Sequence, residues 1–227
     1  MSVILYDLCG AKNERFSPYC WRAKMALAHK GLAFETRPTP FTAIAQIAGN
    51  TQKTVPVMFD GGHVVVDSFA IASYLEQHHQ DRPSLFGGQG GLAMARFVES
   101  WAFTTLHPII LTLVVKDIHD LLSNADQVYF RQSREARLGR TLEDVQTGRE
   151  DRLETFYKAF EPLRRMLGQQ PFIGGNGPLY CDHIVFGTLK WPQVVGTIDV
   201  LPPKGDPVRD WFERCCDLYD GLGHAAA

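Results

Sequence analysis

The spacing of apolar residues changes once along this chain of 227 residues, and that change constrains the fold more than any single motif does. Up to about residue 80, short β-prone runs alternate with helical stretches. Beyond residue 92 only helical spacing remains. Residues 81–91, DRPSLFGGQGG, carry four glycines and one proline between the two regimes and read as a linker. The expectation is an α/β domain with a mixed sheet over 1–80, followed by an all-α domain over 92–227.

In the first half, residues 3–7 form a short apolar strand. Ser17 followed by Pro18 is a helix start, and that helix runs to about His29 before Gly31 stops it. A second strand is expected over 33–37. Residues 55–59 and 63–66 flank an Asp60-Gly61-Gly62 turn, the mark of a hairpin. Asp67 and Ser68 then cap a helix over 69–79. In the second half, helices are expected at 93–120, 125–147, 152–168, 182–196 and 206–220.

Composition narrows the partners. A formal charge of -2 leaves no basic footprint for a nucleic acid or an anionic membrane surface. The most apolar run, 101–115, is shorter than the ~20 residues of a membrane span. The N-terminus lacks the positive flank of a signal peptide. Five scattered cysteines, two of them adjacent, read as reduced thiols rather than a disulfide framework, so a cytoplasmic protein is expected. The eight histidines show no zinc-type spacing, and no metal is expected.

Ser17-Pro18-Tyr19-Cys20-Trp21-Arg22 follows the first strand and opens the first helix. A serine there caps the helix. Its hydroxyl can also donate to an anion held at the positive helix end. Cys20 lies one turn inside, where two-cysteine redox sites keep their second thiol. Thiol–disulfide exchange using Cys20 is therefore an alternative, although the first cysteine of such a pair is absent. Cys9, in the preceding loop, is a further thiol whose approach to the site the sequence leaves open. Val55-Pro56 at the third strand and Asp67-Ser68 at the next helix complete the set.

Together with the all-helical half, these residues make the chain similar to the glutathione S-transferases: a thioredoxin-like N-terminal domain with a mixed sheet, then an all-helical glutathione-transferase C-terminal domain. Four stretches resemble the bacterial lignin β-etherases within that superfamily: SPYCWRAK at 17–24, LEDVQTGREDRL at 142–153, DPVRDW at 206–211 and DLYDGLG at 217–223. The resemblance implies glutathione as co-substrate and Ser17 as the residue that holds its thiol in the anionic form. It implies a cis Pro56, with the Val55 backbone pairing with the cysteinyl unit, and Asp67 and Ser68 receiving the γ-glutamyl end. Lys53 either holds the glycyl carboxylate or is a solvated loop lysine.

Tyr19, Trp101, Phe103 and Trp191 are candidate walls for an apolar aromatic second substrate, though their spacing equally suits a helical core. The resemblance further implies a homodimer, a detoxification-type transferase and, in its narrower form, cleavage of β-aryl ethers derived from lignin. A non-catalytic carrier of aromatic small molecules needs the same groove and stands beside this reading. Arg131, Arg134, Arg137 and Arg140 recur every third residue with carboxylates nearby, which reads as a solvated, ion-paired face, with anion binding as the alternative. Asp182 resembles the aspartate that caps a core helix of the C-terminal domain. The hydroxyl residue that normally completes that capping box is Leu179 here, and Asp182 is expected to be structural.

Overall fold

The computed structural model describes residues 3–49 and 52–225. Strands β1 (Val3–Leu8), β2 (Phe34–Thr39), β3 (Val57–Asp60) and β4 (His63–Val66) form one mixed sheet in the order β2-β1-β3-β4. β1 runs parallel to β2, so a crossover must join them. Helix α1 (Pro18–His29) supplies it. β3 lies antiparallel to both β1 and β4, with Met58 between Leu5 and Val65. The hairpin closes through Gly61 and Gly62 at φ 54° and 100°, a left-handed backbone that side chains with a Cβ resist.

Helix α1 is buried along most of its length, from Pro18 and Cys20 to Leu27. It is buried nearly all round, Arg22 and Lys24 included, because it packs against the sheet, α2 (Ser68–His78) and α9 (Tyr180–Val195). Gly187 permits the close approach of α9. A Cβ at this position would fall on the Pro18 carbonyl oxygen and press on Arg22.

The helical half opens with one continuous helix of 33 residues, Gln89–Leu121. It consists of α3 (Gln89–Trp101), a π turn (Ala102–Leu106) and α4 (His107–Leu121). By length and composition it is long and apolar enough to cross a membrane, which the 101–115 run alone did not suggest. Its Ala95, Val98, Ala102, Leu106, Ile110 and Leu113 face inward as part of the protein core. The π turn sits immediately before His107-Pro108, where proline has no N–H to offer the helical ladder.

Two expected helices prove to be divided. The stretch 125–147 splits into α5 (Asn124–Leu138) and α6 (Leu142–Gln146), because Gly139 adopts φ 67° and Thr141 caps a new start. The stretch 152–168 becomes a 3-10 turn (Arg149–Arg152), α7 (Leu153–Lys158) and α8 (Glu161–Leu167), the last beginning around Pro162. Helix α10 (Pro207–Gly221) closes the domain, with Leu218–Asp220 leaving helical angles near its end.

Asp182 ties these pieces together. Fully buried, its carboxylate accepts from the backbone N–H groups of Ile173 (2.7 Å), Gly174 (2.8 Å) and Leu179 (3.0 Å), and from the Trp211 indole (2.9 Å). Half of the capping box is therefore present. Leu179 has no side-chain acceptor, and the Asp182 N–H bonds its backbone carbonyl instead, at 2.9 Å.

Candidate active site

Ser17 is the N-cap of α1, and its Oγ accepts from the Cys20 N–H at 3.3 Å. The cap is thus real, and it leaves the hydroxyl hydrogen to donate elsewhere. Ser17 is only 4% exposed, and that exposed part faces a cavity of about 1100 Å³ between the two halves of the molecule. Lys53 and Val55 line the same cavity. The Val55–Pro56 bond is cis. Val55 lies just before β3, and its backbone N–H and C=O find no hydrogen-bond partner among the described residues. Backbone groups without such partners are what an added extended segment can pair with.

Asp67 and Ser68 are placed differently. Asp67 caps α2, one carboxylate oxygen accepting from Phe69 N (2.8 Å) and Ala70 N (3.0 Å). Its own N–H bonds the Pro56 carbonyl at 3.2 Å, which ties the helix start to the cis junction. Asp67 remains exposed, and its charge reaches Tyr19. Ser68 is fully buried beside Tyr180 rather than open to the cavity, because it is the first residue of a helix whose inner face packs on the core. Neither residue lines the cavity.

Of the expected aromatic walls, Tyr19, Phe103 and Trp191 line the cavity and Trp101 does not. Trp101 lies two residues from Phe103, on the other side of its helix, and meets Phe160 edge-on at 6.5 Å. His107 is a wall residue that no sequence pattern announced. The π turn directly before it sets its direction into the cavity.

Hydrogen bonding determines the form of His107. Thr188 donates its hydroxyl to the Ile184 carbonyl at 2.8 Å, so at the 3.0 Å contact His107 Nε2 must donate to Thr188. Nδ1 is then the acceptor facing the Tyr19 hydroxyl at 3.4 Å. Burial first, and then the nearby Arg22 guanidinium, hold the imidazole down to a pKa of about 3, so it is neutral at physiological pH. Burial pushes the Tyr19 phenol up, which keeps it a donor. Trp191 packs edge-on against His107 at 5.7 Å, and Arg22 lies under the Tyr19 ring at 4.7 Å.

The arginine row divides. Arg131 is paired with Glu135 and Glu143, and Arg140 bonds the Asp144 carbonyl, as an ion-paired surface requires. Arg134 and Arg137 instead line the cavity. A step of three residues turns a helix by about 300°, so such a row winds around the cylinder rather than marking one face. Arg134 lies over the rings of Phe130 (4.4 Å) and Phe41 (5.2 Å).

Comparison with known proteins decides the family. Residues 16–78 match the family model for the glutathione S-transferase N-terminal domain, and residues 93–218 match that for the C-terminal domain. The chain belongs to the glutathione S-transferase family. It is similar to glutathione transferase GSTFuA3 from Phanerochaete chrysosporium, with 26% identity, 97% of this chain and 92% of that chain covered, and a TM-score of 0.78. GSTFuA2 from the same organism gives 25% identity, 98% and 94% coverage and a TM-score of 0.77. The glutathione S-transferase CsGST83044 of Ceriporiopsis subvermispora, solved in complex with glutathione, shares the fold at a TM-score of 0.82, with 21% identity and 95% and 98% coverage.

Family membership makes glutathione the co-substrate, and the residues of the first wall suit it. This glutathione S-transferase presents a hydroxyl at a helix N-terminus, backbone groups at Val55 without partners among the described residues, and the Lys53 ammonium to the cavity. Its own thiols do not compete. Cys20 is fully buried, and burial pushes its thiol far up, so the two-cysteine redox alternative has no accessible nucleophile. Cys9 lines a separate, smaller cavity, with Pro38 and Asp126.

Proposed function

We propose that this chain activates glutathione as a thiolate at Ser17 and directs it onto an apolar aromatic electrophile, with β-aryl ether ketones as the substrate class. One observation carries the reading: the near-buried Ser17 hydroxyl opens on a large cavity that Tyr19, Phe103, His107 and Trp191 also line. A hydrogen bond to a charged acceptor is worth about 1.5–3 kcal/mol, and 1.36 kcal/mol is one pKa unit. Ser17 therefore lowers the bound thiol by about one to two units. Lys53 takes the glycyl carboxylate, Val55 the cysteinyl backbone, and Asp67 the γ-glutamyl ammonium.

In the ether reaction the thiolate forms a C–S bond at the carbon next to the ketone. The C–O bond breaks, and the phenolate leaves with the electron pair and takes its proton from water. A phenol of pKa ~10 needs no strong acid to leave, consistent with a wall whose histidine is held neutral. The protein supplies thiolate and alignment. The β-etherase reading rests on the four sequence stretches that resemble that group.

The test is retention on immobilised glutathione, followed by turnover of a β-aryl ether ketone and of 1-chloro-2,4-dinitrobenzene. Retention and phenol release in step with thioether formation are expected. Retention with no turnover of either electrophile would make the protein a carrier, and no retention would overturn both readings. A homodimer is part of the proposal, supported by exposed Leu92, Met94 and Phe97 on α3 and Val64 on β4. A monomeric sedimentation profile would refute it. Cytoplasmic residence is proposed from the five unpaired, buried cysteines.

A further inference from the structure

The charged residues lining the cavity are Lys53, Arg134 and Arg137, and no aspartate or glutamate lies among the described lining residues. Lys53 stands on the same wall as Ser17 and Val55. The two arginines stand one helical turn apart on α5, beside Tyr129 and Phe130. Arg131, on the same helix, is neutralised by two glutamates. Arg134 bonds only uncharged side chains, Ser133 and Tyr129, and Arg137 has no hydrogen bond or ion pair among the described residues. Burial and the charge of Arg137 both weaken the hold of Arg134 on its proton, so the pair repels itself in a half-dry setting. The field of Arg137 also reaches Tyr19 on the aromatic wall.

Two guanidinium groups facing an apolar cavity without a counter-charge match a planar oxyanion attached to a ring. Guanidinium donors pair bidentately with a carboxylate, and Phe41, Tyr129 and Phe130 give the ring its contact surface. We propose that Arg134 and Arg137 form a carboxylate subsite, and that the second substrate of this enzyme is an aromatic acid. The proposal rests on the reading of this cavity as the electrophile pocket. The same chemistry could serve the glycyl carboxylate of glutathione, and the experiment separates the two sources.

The probes are 4-chloro-3-nitrobenzoate and its methyl ester, which lose chloride to a thiolate by the same route. After correction for their uncatalysed rates, the acid is expected to exceed the ester in kcat/KM by about tenfold or more. Arg137 is exposed and has no ion pair among the described residues, so Arg137→Gln leaves the fold intact; it should lower the acid-to-ester ratio about tenfold. Arg137→Lys should restore part of it. Arg140→Gln, outside the cavity, should leave the ratio as it is. An unchanged ratio in Arg137→Gln overturns the subsite, as does a rise in the KM for glutathione with the ratio intact.

Calorimetric binding of 4-phenoxybenzoate and its methyl ester, without glutathione, separates this proposal from the catalytic one. Tighter binding of the acid, lost in Arg137→Gln, upholds the subsite even if no electrophile is turned over. Equal binding of acid and ester overturns it.

Discussion

The two walls of the cavity are built by different means. The wall that carries Ser17, Lys53 and Val55 consists of a helix cap and the chain just before a strand, positions defined by their immediate sequence neighbours. The opposite wall takes Phe103, His107, Arg134, Arg137 and Trp191 from helices far apart in the chain. The first wall offers a hydroxyl, open backbone groups and one cation. The second offers rings, a neutral imidazole and two cations. In the proposed reaction the first wall sets the nucleophile and the second sets what it attacks. The chemistry of the one is local, and the selectivity of the other depends on helix packing.

The largest effect should come from the anchor of the helical wall. Asp182→Ala strands the buried donors of Ile173, Gly174, Leu179 and Trp211, at an expected cost on the order of 3–5 kcal/mol in denaturant unfolding. A loss below about 1 kcal/mol would show that water replaces the carboxylate and that this wall does not depend on it. Ser17→Ala should spare the fold, at about 1 kcal/mol for the lost cap. It should raise the bound thiol pKa by about one to two units and cut kcat/KM at pH 7 roughly tenfold to hundredfold. An unchanged thiol titration would reduce Ser17 to a cap and erase the contrast between the walls.

His107 gives a smaller, pH-dependent effect. Its folded pKa of about 3 lies below the ordinary histidine value, so the folded state favours the neutral ring. The stability this contributes is complete above about pH 6.5 and falls away as the pH drops from there toward 3. Between pH 7.5 and 5 the wild type should lose about 2 kcal/mol more than His107→Gln. Equal losses would mean that the ring is protonated in place. Phe103, 62% exposed, contributes little to the fold. Phe103→Ala should raise the KM for the aromatic electrophile roughly threefold to tenfold with little change in melting temperature. No change in KM would remove Phe103 from the aromatic wall.

Much of the sheet half was legible because its signals are short-range. Ser17 with Pro18, the Gly61-Gly62 turn and Asp67 each dictate backbone geometry within a few residues, and each stands where those signals put it. The helical half was legible as helices but less so in detail. Gly139 with Thr141 divided one expected helix, although both signals were present in the chain. The helix expected at 93–120 does run through His107-Pro108, but by way of a π turn that no sequence signal announced.

The chain alone specified the caps at Ser17 and Asp67 and the turn glycines of the hairpin. Capping and turn formation use hydrogen bonds to near neighbours, so adjacent residues suffice to encode them. Only the packed structure turned Phe103 and Trp191 toward the cavity and Trp101 away, buried Ser68, left Arg134 and Arg137 without the carboxylates that Arg131 has, and made His107 neutral. Which way a helix faces, and what that does to a charge, depends on surfaces contributed by distant parts of the chain.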